Sequence, residues 1–361
     1  MTVFNSDELD DFTRSVGRFV DDRYGFVTHR RLAASVTGFG TTEWSAMAEL
    51  GWLALPIDAG HGGMGGGATE TAVIMEAIGC GLLLEPYLAS VVLAGGLIGS
   101  VGSDAQKTEI LPTIASGKAI YAFAHEEFET GRFAEAVLTN GIFRISGAKM
   151  LVLHGDAATK LLVSAQYEGG QSLFLVDGAA PGVVRTVFTL VDNRRAADIR
   201  FDDVAVQRLG DTDSTTQIAA ILDRAVAALC AEAVGAMGAL NAMTLAFTKT
   251  RQQFGVPIGS FQVVQHRLVD MAIAEAESRS IARAATDAID AGHPHAALVV
   301  SAAKIRINRA SRFIGESAVQ LHGGMGIAGE QAVGNYFKRL LLIGSLFGDC
   351  DVHLDRLAVS A

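Results

Sequence analysis

Two short segments in the last third of the chain carry residue types that could bind a large anionic cofactor. The first is TRQQFGVPIGSFQ at residues 250–262, and the second is QLHGGMG at residues 320–326. Arg251 offers a planar fork of donors that suits pyrophosphate oxygens. The side-chain amides of Gln262 and Gln320 donate and accept hydrogen bonds, and the glycines of the second segment let a ligand approach the main chain. Either segment alone is a weak signal, but together they predict a cofactor site.

Long Ala- and Leu-rich stretches surround both segments and must position them. These stretches predict four antiparallel helices packed as a bundle, at about residues 214–249, 262–291, 296–319 and 330–358. The two polar segments then fall at connecting ends of the bundle. Side chains from different helices can meet there around one ligand.

The rest of the chain divides into a helical part and a β-rich part. Apolar residues recur at helical spacing in the first third. Beyond it, short runs such as FRISGAKMLVLHG and QSLFLVDG are rich in β-forming residues and alternate with Gly, Asp or Asn. We therefore predict a mainly α fold with a middle β domain. The predicted domains are an N-terminal helical domain (1–118), a β domain (119–211) and a C-terminal four-helix bundle (212–361).

Charge and cysteine usage exclude several classes of protein. The 361 residues carry a net charge of -10 without a basic block, which disfavours nucleic-acid binding. The three cysteines show no CxxC or Cys/His spacing, so a reducing compartment and no zinc site are expected. The start is polar and acidic, unlike a signal peptide. Glu76, Glu85 and Pro86 interrupt the apolar run near residues 72–100, so we predict no membrane span and a cytoplasmic location.

At the two polar segments the chain resembles the acyl-CoA dehydrogenase family. GWLALPIDAGHGGMGGG at residues 51–67 and GSDAQKTEILPTIASGK at residues 102–118 are similar to the family's N-terminal elements. RYGF, AFAHEE, VLHGDAA and TRQQFGVPIG are similar to segments of the small-subunit type of pimeloyl-CoA dehydrogenase. The resemblance implies an N-terminal helical domain, a central β-barrel or sandwich and a C-terminal four-helix bundle.

The resemblance also implies an activity and its participants. Members of the family use FAD to dehydrogenate the α,β bond of an acyl-CoA thioester, and an electron-acceptor flavoprotein reoxidises the cofactor. The flavin carries the hydride chemistry, and the protein supplies binding and a carboxylate base. The cofactor-binding residues that the resemblance implies are Arg251, Gln253, Phe254, Gln262, Gln320, Leu321, His322, Gly323, Gly324 and Asp349.

Two segments depart from the family pattern around the flavin. AFAHEEFETGRF replaces the usual Thr-Glu-Pro loop with its following Gly-Ser-Asp. In KMLVLHG, Val152 and Leu153 stand where family members often carry an aromatic residue that stacks on the flavin. Both departures favour a flavin site that this chain does not complete alone.

The two positions that can carry the family's base are also changed. They correspond to Phe347 and Ala225, and neither side chain accepts a proton. We therefore predict no catalytic residue here and a base-less subunit paired with a related catalytic subunit in a mixed tetramer. One alternative is a homomeric enzyme that uses Asp223 or Asp349 as an unusual base. The other is a scaffold subunit without flavin.

Other suggestive motifs receive structural interpretations. GHGGMG, with Glu85 about twenty residues on, fits a dinucleotide fingerprint, but no βαβ unit follows, which favours a structural turn. HEEFE lacks the spacing of a zinc motif, which favours a solvated loop over a metal site. His266, His322 and His353 are interpreted as hydrogen-bonded structural residues rather than catalytic ones.

Overall fold

The architecture follows the predicted order of helices, strands and helices. The structure is a computed structural model that describes residues 3–128 and 133–359. The helices are α1 (Ser6–Arg23), α2 (Phe26–Ala33), α3 (Thr41–Glu49), α4 (Ala68–Gly81), α5 (Gly96–Val101), α6 (Asp104–Ala115), α7 (Thr215–Thr250), α8 (Gln262–Asp290), α9 (Ala296–His322), α10 (Ala332–Ser345) and α11 (Cys350–Val359). The strands are β1 (Tyr121–Ala124), β2 (Glu135–Thr139), β3 (Ile142–Leu153), β4 (Lys160–Tyr167), β5 (Gly170–Asp177), β6 (Val183–Thr189), β7 (Arg195–Leu209), β8 (Gln252–Gln253) and β9 (Val256–Pro257).

The described residues form two compact units, and each contains separate stretches of chain. One unit combines the chain up to Arg31, Gly67–Leu83 and the chain from Val226 onward. The other combines Leu32–Gly66 and Leu84–Ala225. We call them the helical unit and the β unit. The domain boundaries given above stay a prediction.

The middle strands close into a ring in the β unit. The pairing order runs from β4 through β2, β3, β7 and β5, and β5 pairs with β4 again. β1 adds to β4 in parallel, and β6 adds to β7 antiparallel. Phe174, Ile199 and Phe201 are at most 2% exposed inside this sheet. Burial of their large apolar area stabilises the closed arrangement.

Helices α4 and α7 approach unusually closely in the helical unit. A Cβ on Gly79 would lie 1.9 Å from the carbonyl oxygen of Glu232, and one on Gly235 would lie 1.9 Å from that of Glu76. Any side chain at either glycine would therefore push the helices apart. This contact fixes α7, whose far end carries Arg251.

The prediction of a continuous last helix in the bundle is wrong. It is divided into α10 and α11 by a turn in which Phe347 has φ 55° and Gly348 has φ 100°. Asp349 then caps α11, because its Oδ1 accepts from the main-chain nitrogens of Asp351 at 3.0 Å and Val352 at 3.1 Å. The break places Phe347 outside helical geometry.

Candidate functional site

The first polar segment forms a tight hairpin at the end of α7. The main-chain nitrogen of Arg251 donates to Phe247 O at 2.8 Å, and its carbonyl accepts from Ile258 N at 2.8 Å. β8 and β9 pair antiparallel, and the turn between them places Phe254 at φ 53° and Gly255 at φ 82°. Phe254 is 93% exposed. The hairpin therefore presents an aromatic ring that the single chain leaves uncovered.

The polar side chains around this hairpin are available to a ligand. Arg251, Gln253 and Gln262 are all exposed. Within the described part of the chain, none of their side chains makes a hydrogen bond or an ion pair. One guanidinium and two amides therefore lie on or beside one short hairpin, and Gln262 is the first residue of α8. Such a donor set fits an anionic cofactor that carries several acceptor oxygens.

The second polar segment ends α9 and begins a short 3₁₀ turn, Gly323–Ile327. Gln320 is exposed, while Leu321 and His322 are half-buried. Gly323 has φ 61°, and a Cβ built on Gly323 or Gly324 would have no heavy atom within 4 Å. The space beside these two glycines is open, so a ligand can reach their main chain.

Gly326 differs from its two neighbours. It is buried, and a Cβ there would lie 2.8 Å from Val319 O. Gly326 therefore allows the turn to pack closely, whereas the space beside Gly323 and Gly324 stays open.

A ring stack joins the two segments. The ring of Phe247 and the imidazole of His322 lie with centres 4.3 Å apart and planes inclined by 22°. His322 Nδ1 also lies 2.9 Å from Ala318 O, so Nδ1 carries a proton toward that carbonyl. Phe247 precedes Arg251 by one helical turn, and His322 precedes the open glycines. The stack therefore sets the relative position of the two segments.

Asp349, the remaining predicted cofactor ligand, acts as the N-cap of α11. It also lines a small pocket of about 220 Å³ together with Asn308 and Cys350. The amide oxygen of Asn308 is buried without a hydrogen-bond partner in the described structure. A direct role of Asp349 with the cofactor stays a prediction.

The two positions to which the resemblance assigns the family's base carry no proton acceptor. Ala225 is fully buried in α7, and Phe347 is half-buried in the turn before α11. Asp223 is half-buried two residues before Ala225, so on a helix it points roughly 200° away from that side chain. Neither alternative base occupies a family position.

The HEEFE segment is only in part the solvated loop that its charges predicted, because Glu126 and Phe128 are exposed whereas His125 and Glu127 are half-buried. Lys149 on β3 is 1% exposed, and its ammonium donates to His125 O at 2.9 Å and Ser164 Oγ at 3.2 Å and forms an ion pair with Glu127. His125 Nδ1 lies 2.9 Å from Ser164 Oγ. Sequence patterns missed this cluster, because an alternating strand gives no sign that a buried lysine will meet a distant loop. Glu129 of this segment lies outside the described residues.

Burial controls the charges in this cluster. Burial, assisted by the Lys149 ammonium, lowers the pKa of His125 to about 4, so the imidazole is neutral near pH 7. Burial also lowers the pKa of Lys149, and the Glu127 carboxylate opposes that shift. The Lys149 ammonium is therefore paired within the cluster, whereas Glu127 Oε2 has no described hydrogen-bond partner. Val152, further along β3, is 1% exposed and packs in the sheet core. These β-unit residues do not fit a flavin ring that needs a stacking partner.

Of the remaining motif residues, some have structural roles and others have no role that the structure shows. His353 is 3% exposed between Ser301 Oγ at 3.1 Å and Phe347 O at 3.2 Å, which confirms its structural interpretation. His266 is exposed and makes no hydrogen bond within the described residues, so that part of the prediction is wrong. No group of three or more His, Cys, Asp or Glu residues that could hold a metal occurs within residues 3–128 and 133–359.

GHGGMG forms a turn rather than the edge of a nucleotide-binding strand. A Cβ on Gly63 would lie 2.0 Å from Ile57 O, so the two stretches of turn pack directly on one another. Glu85 is 4% exposed and accepts from Gly40 N at 3.0 Å and Leu84 N at 3.1 Å. The carboxylate thus bonds main-chain donors inside the β unit.

Helices that come before and after a closed β sheet along the chain, with two polar segments at the ends of a C-terminal bundle, are typical of the acyl-CoA dehydrogenase fold. The chain matches the family models "Acyl-CoA dehydrogenase, N-terminal domain" over residues 6–118 and "Acyl-CoA dehydrogenase, C-terminal domain" over residues 215–361. Probable acyl-CoA dehydrogenase YngJ of Bacillus subtilis (strain 168) is 30% identical over 331 residues, or 85% of this chain and 86% of that protein. The chain belongs to the acyl-CoA dehydrogenase family.

Two solved structures resemble nearly the whole chain. The ChsE4-ChsE5 complex from Mycobacterium tuberculosis matches with a TM-score of 0.91 and 27% identity, covering 100% of this chain and 98% of that one. PigA with FAD and proline matches with a TM-score of 0.91 and 25% identity, covering 100% and 99%. Family membership and fold class are confirmed, whereas similarity to the pimeloyl small-subunit type stays a prediction.

None of the described helices combines the length and the apolar character that crossing a membrane requires.

Proposed function

We propose that this chain is the base-less subunit of a heteromeric, FAD-dependent acyl-CoA dehydrogenase. The observation that carries the proposal is a contrast within the chain. Arg251, Gln253 and Gln262 offer uncommitted donors beside the exposed ring of Phe254. The two base positions hold Ala225 and Phe347. The chain thus keeps groups for holding a cofactor and lacks the group that removes the substrate proton.

Each element of the helical site has a defined task in this proposal. Arg251 binds the pyrophosphate, because its fork of donors matches two oxygens at once. The amides of Gln253, Gln262 and Gln320 donate to further acceptors of the cofactor. Leu321, His322 and the open main chain at Gly323 and Gly324 lie against the ring system. FAD would accept the hydride from the β carbon of the acyl-CoA.

The partner supplies what this chain lacks. A related subunit contributes the carboxylate base and the β-unit surface that faces the flavin. The Lys149–Glu127 ion pair and the buried Val152 support this division, because neither offers an aromatic ring that could stack on a flavin. ChsE4-ChsE5, a complex of two differently named chains, is similar to this chain along its full length. An acyl-CoA is the substrate, and an electron-transfer flavoprotein is the acceptor.

The visible spectrum of the purified protein tests flavin binding. The chain is produced alone and together with a related, base-bearing subunit encoded beside it. We expect stoichiometric oxidised flavin in the co-expressed protein and little in the chain alone. A colourless co-purified complex would instead identify a scaffold subunit.

The mass of the assembly tests the heteromer. Residues 225–237 in the middle of α7 are all buried, and Val263, Val269 and Ile273 on α8 are more than half exposed in the single chain. Exposed aliphatic side chains on one helix indicate a protein interface. We expect a mixed oligomer by native mass spectrometry. A monodisperse monomer, or a homotetramer that ignores every related subunit offered, contradicts the proposal.

A further inference from the structure

A cavity of about 430 Å³ opens among α1, α4, α7 and α8 within the helical unit. Its volume falls within the range of about 300–1,000 Å³ typical of small-molecule sites. Val16, Val73 and Val234 line it together with several alanines and threonines, and none of the described residues in its wall is aromatic. Flat ring ligands gain most from aromatic walls. An aliphatic wall of this kind suits a flexible saturated chain.

Gly17 keeps this cavity open. It lies in the interior of α1, lines the cavity, and a Cβ built on it would have no heavy atom within 4 Å. Glycine is the least favourable helix-interior residue after proline. No close contact requires it here, in contrast to Gly79 and Gly235. A larger side chain at this position would project into the cavity, so the glycine preserves volume at a cost to the helix.

Of the two described arginines in the cavity wall, Arg283 keeps its terminal nitrogens free of hydrogen bonds. Arg279 forms an ion pair with Glu76 and donates to Glu275 at 3.3 Å, so its charge is already matched. Arg283, one turn further along α8, is 69% exposed at its side chain, and its Nε lies 3.7 Å from Asp287. Its terminal nitrogens make no hydrogen bond within the described residues. Asp10 on α1 is the one acid of the cavity wall without a described partner.

We propose that this cavity binds an unbranched aliphatic carboxylate. The hydrocarbon chain lies along the valines and alanines of the wall, and the carboxylate binds the terminal nitrogens of Arg283. Guanidinium groups bind carboxylates through two parallel hydrogen bonds, which gives this head group an advantage over a neutral one. Asp10 also lines the cavity, and its carboxylate would instead favour a ligand with a cationic head group.

Calorimetric titration of the purified protein with decanoate and with decyltrimethylammonium, both below their micellar concentrations, tests the head group. We expect decanoate to bind at least about tenfold more tightly, and Arg283→Gln to weaken it by about tenfold or more. Arg312→Gln, which changes an exposed arginine on α9 outside the cavity wall, serves as the control and leaves binding unchanged. Tighter binding of the cation, lost in Asp10→Asn, overturns the proposal, and so does absence of decanoate binding.

Gly17→Leu tests the location. The leucine fills open space and improves the helix, so we expect the thermal midpoint to hold or rise while decanoate binding is lost. Gly17→Ala removes less volume and should weaken binding only partly. Unchanged binding in Gly17→Leu would place the ligand elsewhere. A change in the mass of the assembly with this variant would show that a partner occupies the cavity, which also contradicts the proposal.

Discussion

The imidazole of His322 stacks on the ring of Phe247, with ring centres 4.3 Å apart. This contact joins the end of α9 to the end of α7, and each helix end carries one of the two polar segments. The stack places Arg251 and the open glycines in a fixed relation, although about seventy residues separate them in sequence. Cofactor binding at either segment should therefore depend on this pair of rings, even if only one of the two rings contacts the cofactor.

Phe247→Ala should weaken flavin retention in the assembled protein. An aromatic pair contributes about 0.5–1.5 kcal/mol beyond its buried area, which corresponds to roughly two- to tenfold in affinity. Phe247→Tyr keeps the ring and serves as the matched control. The flavin dissociation constants of the two variants, measured by ultrafiltration, show whether the aromatic ring matters. Equal constants for the Ala and Tyr variants would show that the stack does not position the site.

Arg251→Ala should weaken flavin binding more than Phe247→Ala does. A lost charge-assisted hydrogen bond costs about 1.5–3 kcal/mol, or roughly ten- to a hundredfold in affinity. Lys249→Ala removes an exposed cation two residues earlier and controls for the general loss of positive charge. If flavin content and dissociation constant stay the same in Arg251→Ala, this arginine does not contact the cofactor.

The chain without its partner should not dehydrogenate an acyl-CoA. Ala225 and Phe347 offer no proton acceptor, and Asp349 is engaged as the cap of α11. We expect no bleaching of reconstituted flavin in a single-turnover mixture with an acyl-CoA. Rapid bleaching would contradict the base-less assignment, and loss of that bleaching in Asp223→Asn or Asp349→Asn would then identify the base.

Sequence patterns predicted the elements that depend on local chemistry. The Ala-rich periodicity located α7, α8 and α9, and the two polar segments fall at ends of these helices as predicted. Apolar spacing could not reveal the break after α10, because leucines and isoleucines continue up to Phe347. The local signal was Gly348 followed by Asp349, a glycine that accepts positive φ beside a residue suited to capping.

Long-range polar contacts were beyond the reach of sequence patterns. Lys149 sits in an ordinary β-rich run, and its partner Glu127 belongs to a loop that reads as solvated. Their pairing depends on the closed sheet, which brings β3, β4 and the end of β1 together. The roles predicted for Gln253, Gln320 and Asp349 follow from family resemblance, and they stay predictions until flavin binding is measured.

The stability of the protein should fall as the pH drops from about 6.5 toward 4, partly because of His125. Burial lowers the folded-state pKa of this imidazole to about 4, whereas an unfolded histidine titrates near 6.5. Between these values the unfolded chain binds the additional proton, so the contribution is complete above pH 6.5 and is lost as the pH approaches 4.

We expect His125 to account for about 2–3 kcal/mol of that loss. Urea unfolding of the wild type and of His125→Asn at pH 7.5 and 5 measures it. Asparagine retains a polar atom near Ser164 but does not titrate, so the difference between the two proteins should narrow at the lower pH. A constant difference at both values would show that the imidazole is not held neutral by burial.

A buried ion pair between Glu232 on α7 and Arg339 on α10 should be costly to break. Arg339 Nε donates to one carboxylate oxygen at 2.7 Å and its terminal nitrogen to the other at 2.6 Å. The two residues are 1% and 3% exposed. Arg339→Met leaves a buried carboxylate without this partner, and we expect a loss of about 3–5 kcal/mol in the free energy of unfolding.

Two comparisons make that measurement specific to the pair. Arg312→Met removes an exposed i,i+4 partner of Glu316 and should leave the unfolding midpoint nearly unchanged, because solvent screens such pairs. The double variant Glu232→Leu/Arg339→Met removes both buried charges, so it should recover much of the stability that Arg339→Met alone loses. A double variant as unstable as the sum of its single variants would show that the two side chains act independently. In that case the link between α7 and α10 would depend on apolar packing rather than on the ion pair.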